Sequence, residues 1–272
     1  MIPNPTRRIV VAALLSLLVP CVAAAERTMR MAVTTSFEAS GLADVLLPAI
    51  EADTGVAVQL VVVGTGQALR LGAAGDVDAV LVHSREAEEA FVAQGHAPHR
   101  REVMYNDFVL VGPSDDPAGA SRAETAAGAL TAVAEAGAAF VSRGDDSGTH
   151  KAELALWSRA GLEPEAFGRW YRETGSGMGA ALNTAAGMGA YVLSDRASWL
   201  AEGRRGLSIL FEGDPALFNQ YAYLPVADAR HPEAAAMVEA WLTSERAATL
   251  IDGHRVGGER LFTFNAEPRP DE

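Results

Sequence analysis

"FVSRGDDSGTHKAELALW", Phe140 to Trp157, joins a short apolar run to an amphipathic one through an arginine, two aspartates and four small residues. The first part reads as a strand and the last as a helix, so "RGDDSGT" (Arg143 to Thr149) occupies the mouth of a helix at the end of a strand. The first turn of a helix leaves backbone N–H groups unpartnered, and its dipole places about half a positive charge there. Glycine lets a backbone approach closely, serine and threonine add hydroxyl donors, and arginine adds a planar charged fork. Such a junction suits an anion.

Working outward, two more junctions share this chemistry. "TTS" (Thr34 to Ser36) and "GTG" (Gly64 to Gly66) each close an apolar run before a helical one. Open α/β folds collect ligands at the carboxyl ends of strands. Three such ends converging would surround a small oxyanion with donors. Taken singly, hydroxyls here are ordinary helix caps; their repetition beside Arg143 points to a site. Asp145 and Asp146 admit two roles. One caps the helix while the other orients Arg143 or Lys151, or else one of them accepts a proton from the ligand.

The remainder alternates short apolar runs with amphipathic ones, which predicts a mostly parallel sheet covered by helices. "RMAVTTS", "AVQLVVVGTG" and "VDAVLVHS" read as strands, with helices over "SGLADVLLPAIEADTG", "QALRLGAAGD" and "REAEEAFVAQG" between and after them. "MYNDFVLVGPSDDPAG" changes character at Pro113 and reads as a crossover between lobes, with "YAYLPVAD" as the return. "AAGMGAYVLSDRASWL" reads as a helix, a buried turn and a second helix capped by Ser194 or Asp195. "HPEAAAMVEAWLTSERAATLIDG" reads as one closing helix.

Residues 1–25 have the features of a secretion signal: Arg7 and Arg8, the apolar "IVVAALLSLLV", and small residues at Ala23 to Ala25. The apolar run is shorter than the roughly 20 residues that span a bilayer. Cleavage after Ala25 removes Cys21, the chain's single cysteine, and Pro20 before it is a poor match to a lipidation signal. Disulfides, thiol nucleophiles and cysteine metal sites are thereby excluded from the mature chain. Removing Arg7 and Arg8 from 22 basic residues leaves 20 against 35 acidic ones, a net charge of −15. That balance argues against nucleic acid and anionic membranes as partners. Anion capture must then work through local hydrogen bonds.

The histidines do not pair at metal-ligand spacing; His96 and His99 flank Pro98 without acidic company. Ser147 has His150 three residues on, but no local group orients that histidine as a base. Asp115 and Asp116 lie among prolines and read as a solvated turn. Five glycines between Gly175 and Gly189 read as a loop entering a tightly packed helix, with Gly177 to Gly179 offering backbone N–H groups. No cofactor and no cation site is expected.

Together "TTS…SGL", "VGTGQAL", "DAVLVHSREAEEAFV", "MYNDFVLVGPSDDPAG", "VSRGDDSGTHKAELALW" and "GMGAALNTA…AYVLSDRASWL" resemble the TupA-like tungstate-binding proteins of bacterial ABC importers, in order from Thr34 to Leu200. The resemblance implies a type II periplasmic binding protein, with two α/β lobes joined by two crossover strands and an anion in the cleft between them. The first lobe is expected over 26–112 and 224–272, the second over 113–223. Carried over residue by residue, the ligand contacts are Thr35, Ser36, Thr65, Gly66, Arg143, Ser147, Gly148 and Thr149. The family commonly has a third threonine where Val33 stands here, which places one donor in question. The resemblance further implies a monomer in the periplasm that delivers tungstate or molybdate to an ABC permease with its ATPase subunit, and no insertion of the mature chain into the membrane.

Two alternatives compete with that function. Phosphate capture also suits an arginine beside "SGT", but hydrogenphosphate carries a proton and needs an acceptor, whereas tungstate and molybdate need donors only. Whether Asp145 or Asp146 faces the cleft discriminates these. The other alternative is a secreted hydrolase built on Ser147.

Overall fold

The computed structural model describes residues 27–203 and 206–267. The expected signal segment and its cleavage point lie outside the described residues, as does the end of the Pro-rich tail. The chain opens with β1 (Arg27–Thr34), α1 (Thr35–Ala39), α2 (Leu42–Thr54), β2 (Val56–Val63), α3 (Thr65–Ala73), β3 (Ala79–Val82) and α4 (Arg85–Ala93). The long β4 (Arg101–Pro113) leads to α5 (Ala126–Glu135), β5 (Phe140–Ser142), α6 (Gly148–Arg159), β6 (Tyr171–Glu173), α7 (Met178–Met188), β7 (Tyr191–Asp195), α8 (Arg196–Glu202) and β8 (Leu207–Phe211). Then β9 (Phe218–Pro225) returns to α9 (Pro232–Leu242), α10 (Glu245–Gly253), and the short β10 (Arg255–Val256), β11 (Glu259–Arg260) and β12 (Thr263–Phe264).

The strands run β2-β1-β3-β9-β4-β7-β5-β6. β2, β1 and β3 are parallel, and so are β6, β5 and β7. Between these two blocks β4 and β9 run antiparallel to their neighbours. β4 pairs with β9 over Arg101–Asp107 and with β7 over Phe108–Val111, so one strand serves both blocks. Each block carries apolar packing on both faces. Met31 and Leu81 belong to one core cluster and Ala32 and Val80 to another, while Phe108 and Val109 divide likewise in the second block. Helix-covered parallel strands are buried on both faces, which is why these runs read as continuously apolar. The result is the two-lobed type II arrangement.

Two readings of the sequence are corrected. Tyr191 to Asp195 is not a buried turn between helices but β7, every residue of it buried between β4 and β5. Gly189 stops α7 at φ 59°, a conformation that costs glycine little, and the chain then enters the sheet. The closing helix is two helices. Ser244 accepts from the N–H of Ala247 at 3.3 Å, and its own hydroxyl donates to Trp241 O at 2.6 Å, so a capping residue divides the run. Among the described residues no helix is long and apolar enough to cross a membrane.

Candidate functional site

The three junctions arrive where the lobes meet. Thr35 opens α1 after β1, Thr65 opens α3 after β2, and Gly148 opens α6 beyond β5. α1 and α3 belong to the first lobe and α6 to the second. The backbones of the last two junctions touch across the cleft. The N–H of Gly66 donates to Asp146 O at 3.4 Å, and a Cβ on Gly64 would lie 3.9 Å from Ser147 Cα. The lobes are therefore closed on one another.

In the second lobe the "RGDD" turn is tight because Gly144 and Asp146 both adopt left-handed φ, 58° and 57°. That turn brings Asp145 back onto Arg143. Arg143 is 3% exposed; its Nη2 donates to Asp145 Oδ2 and its Nε to Ser176 O at 3.3 Å. Nη1 has no partner among the described residues. Asp145 Oδ1 also accepts from the N–H of Ser147 at 3.3 Å, so this aspartate both braces the turn that precedes the helix and orients the arginine. Asp146 accepts from Lys151 on one carboxylate oxygen and from Arg70 of the first lobe, 3.4 Å away, on the other. The Lys151 hydrogen bond holds Asp146 below the usual carboxylate range, with Arg70 adding to it. Each of the four carboxylate oxygens of the pair thus accepts a hydrogen bond, and Asp146 faces the first lobe across the cleft.

Ser147 Oγ accepts from the N–H of His150 at 3.2 Å and is the N-cap of α6. The ring of His150 accepts from the N–H of Asp146 at 3.2 Å, so it does not serve Ser147 as a base. Thr65 and Thr149, 0% and 1% exposed, both have a buried Oγ1 with no hydrogen-bond partner among the described residues. A buried hydroxyl without a partner costs free energy unless something else satisfies it. Thr35 is half-buried at the same junction as Ser36. The Gly66 N–H, offered above as a ligand donor, is instead engaged by Asp146.

Ser36 is anchored differently. Its Oγ lies 3.0 Å from Thr34 Oγ1, 2.9 Å from the Tyr221 hydroxyl and 3.4 Å from His83 Nε2. His83 and Tyr221 escaped the sequence reading. His83 follows β3 as the cleft-side end of a third parallel strand, and its ring lies 4.6 Å from that of Tyr221. A Cβ on Gly148 would sit 2.4 Å from His83 Cε1, so the ring of one lobe packs on the bare backbone of the other. Burial depresses the His83 pKa to about 4, and the nearby Arg143 charge acts in the same direction, so the imidazole is neutral. On the crossover strands, Asn219 Nδ2 donates to Asn106 Oδ1 at 2.6 Å, joining β9 to β4 beside this cluster. Asp195 caps α8, its Oδ1 accepting from Ser198 N–H at 2.8 Å. Val33 packs in the apolar core of the first lobe, so its missing hydroxyl takes nothing from the network around Ser36. Among the described residues no group of three His, Cys, Asp or Glu side chains is placed to hold a metal ion.

A family model described as a PBP superfamily domain matches residues 22–246. A protein named tungstate-binding protein TupA, from Peptoclostridium acidaminophilum, is 46% identical over 251 residues, covering 89% of this chain and 87% of its own. The chain belongs to the TupA-like family of periplasmic binding proteins. The solved tungstate-binding protein TupA from Desulfovibrio alaskensis G20 superposes with a TM-score of 0.76 at 42% identity, covering 89% of this chain and all of its own. The structure described as the tungstate ABC transporter from Geobacter sulfurreducens gives a TM-score of 0.76 at 46% identity, with 84% and 99% covered.

Proposed function

We propose that this chain captures tungstate, with molybdate as its close competitor, in the cleft between the lobes and delivers it to an ABC importer. One observation carries the choice of anion: Asp145 and Asp146 each accept a hydrogen bond on both carboxylate oxygens, while the buried hydroxyls of Thr65 and Thr149 have no partner among the described residues. Unpartnered donors are thus on hand for an anion. An unprotonated tetrahedral dianion is satisfied by donors alone, whereas hydrogenphosphate must also donate. The relatives named for tungstate support the same reading.

The ligand set of this proposal is Thr35, Ser36, Thr65, Arg143, Ser147, Gly148 and Thr149, with Gly66 closing the cleft through Asp146. Charged hydrogen bonds from arginine are the strongest members of such a set. The protein works as a binding protein and not as an enzyme; ATP is hydrolysed by the transporter that receives it. It is exported to the periplasm and acts as a monomer. In this reading the hinges lie where β4 changes partners, at Asp107–Phe108, and where β9 begins, at Leu217–Phe218. Strand ends between two packed bodies are where small dihedral changes add up to closure. Crystals grown with tungstate, with tungsten located by anomalous scattering, test the site. The peak is expected within hydrogen-bonding distance of the Thr65 and Thr149 hydroxyls and Arg143; a peak elsewhere on the molecule refutes the assignment.

A further inference from the structure

A serine hydroxyl has one proton to donate and two lone pairs with which to accept. The direction in which Ser36 uses them depends on its three neighbours. Tyr221 is fully buried, and burial, then the charge of Asp195, push its phenol well above the ordinary range, so the O–H is retained. The two oxygens lie 2.9 Å apart and either can donate; the retained phenol proton is taken as the one directed at Ser36 Oγ. Thr34 Oγ1 accepts from the N–H of Phe37 at 3.3 Å, which leaves its own proton for Ser36. With both lone pairs of Ser36 filled, its proton has two destinations, His83 Nε2 or an anion. At 3.4 Å the histidine is a long partner, and a charged acceptor is the stronger one.

We propose that Tyr221 is a specificity-determining positioning residue: by donating to Ser36 Oγ it commits that hydroxyl to donate into the cleft and removes the lone pair a protonated anion would need there. The inference rests on the reading of the cleft as an oxyanion site. Tungstate gains from the arrangement, since the chain Tyr221 to Ser36 to anion runs in one direction and each link polarises the next. Hydrogenphosphate loses at Ser36, because its P–OH finds the lone pairs there filled. Asp195 is the other carboxyl in electrostatic reach of Arg143; its Oδ1 is held by the start of α8, and its buried Oδ2, which has no partner among the described residues, is the competing acceptor that an Asp195→Asn variant removes.

The test is Tyr221→Phe in the full mature chain, titrated by calorimetry with tungstate and with phosphate, alongside ligand-free melting. The tungstate-over-phosphate affinity ratio is expected to narrow about three- to tenfold, the worth of one neutral hydrogen bond. Equal weakening of both anions, or an unchanged ratio in a folded variant, overturns the proposal and leaves Tyr221 a packing residue. So does a ratio that narrows with Asp195→Asn but not with Tyr221→Phe. If Tyr221→Phe does not fold, Thr34→Val removes the other donor to Ser36 and must narrow the ratio in the same direction. A wild-type chain that fails to bind tungstate refutes the underlying site and not the role of Tyr221 alone.

Discussion

Replacing Gly148 by alanine separates closure of the cleft from stability of the lobes. The added Cβ would lie 2.4 Å from His83 Cε1, 2.7 Å from Nδ1 and 2.9 Å from Nε2. Carbon atoms in good contact sit at about 3.5–4.0 Å, so the lobes must part by roughly 1 Å or the ring must move. The ring is poorly placed to move, being 7% exposed and packed on Tyr221. Overpacking by one methyl group costs about 1–3 kcal/mol, which predicts a loss of roughly five- to a hundredfold in tungstate affinity. With the lobes apart the methyl meets nothing from the first lobe, and alanine suits a helix better than glycine. Ligand-free melting is therefore expected to hold or rise slightly. Calorimetry, melting and small-angle scattering on the same preparation read all three quantities. Full affinity with an unchanged ligand-induced contraction would show that the bound lobes never reach this contact, and would refute the reasoning.

Other outcomes follow from the same geometry. Arg143→Ala should weaken tungstate binding by about 1.5–3 kcal/mol, and Arg143→Lys by less, since lysine carries the charge without the fork; retained affinity in both makes Arg143 only the partner of Asp145. Thr65→Val and Thr149→Val should each lower affinity about two- to tenfold without lowering ligand-free melting, because neither hydroxyl has a protein partner to lose; a drop in melting at full affinity reverses the assignment. Asp146→Asn breaks the link to Arg70, but both side chains are more than half exposed, so it should change affinity by less than about fivefold and by less still in high salt. His83 gives the acid limb a sign. The folded chain keeps it neutral down to about pH 4, whereas the unfolded chain protonates it near 6.5, so stability falls as pH drops through that window. His83→Gln should flatten melting temperature against pH there; an unchanged slope assigns the acid limb to other groups.

Much of this was legible in the sequence because it is local. Alternating apolar and amphipathic runs carry the two parallel blocks, and "RGDDSGT" carries its own turn, cap and arginine within seven residues. The division of the last helix was readable in principle, since "TSE" places a capping serine before an acidic first turn. β7 was misread because five buried residues between two helices carry no alternation, and only pairing with β4 and β5 makes them a strand. His83 stood at a strand end like the other junctions, and a strand-end search not restricted to hydroxyls would have found it. Tyr221 and the Asn106–Asn219 pair had no local signal. Tyr221 lies 185 residues from Ser36 and Asn219 lies 113 from Asn106, so only the sheet brings them together. The roles of Asp145 and Asp146 depended on where Arg70 and Lys151 reach, which the fold alone decides.

The central claim, a donor-rich cleft for an unprotonated tetrahedral dianion, is tested most directly by calorimetry of the ligand-free mature protein against tungstate, molybdate, sulfate and phosphate under one set of conditions. The account predicts one-to-one binding of tungstate, a comparable or weaker response to molybdate, and phosphate weakest of the tetrahedral anions. Phosphate binding as tight as tungstate, or no heat with tungstate at all, would contradict it.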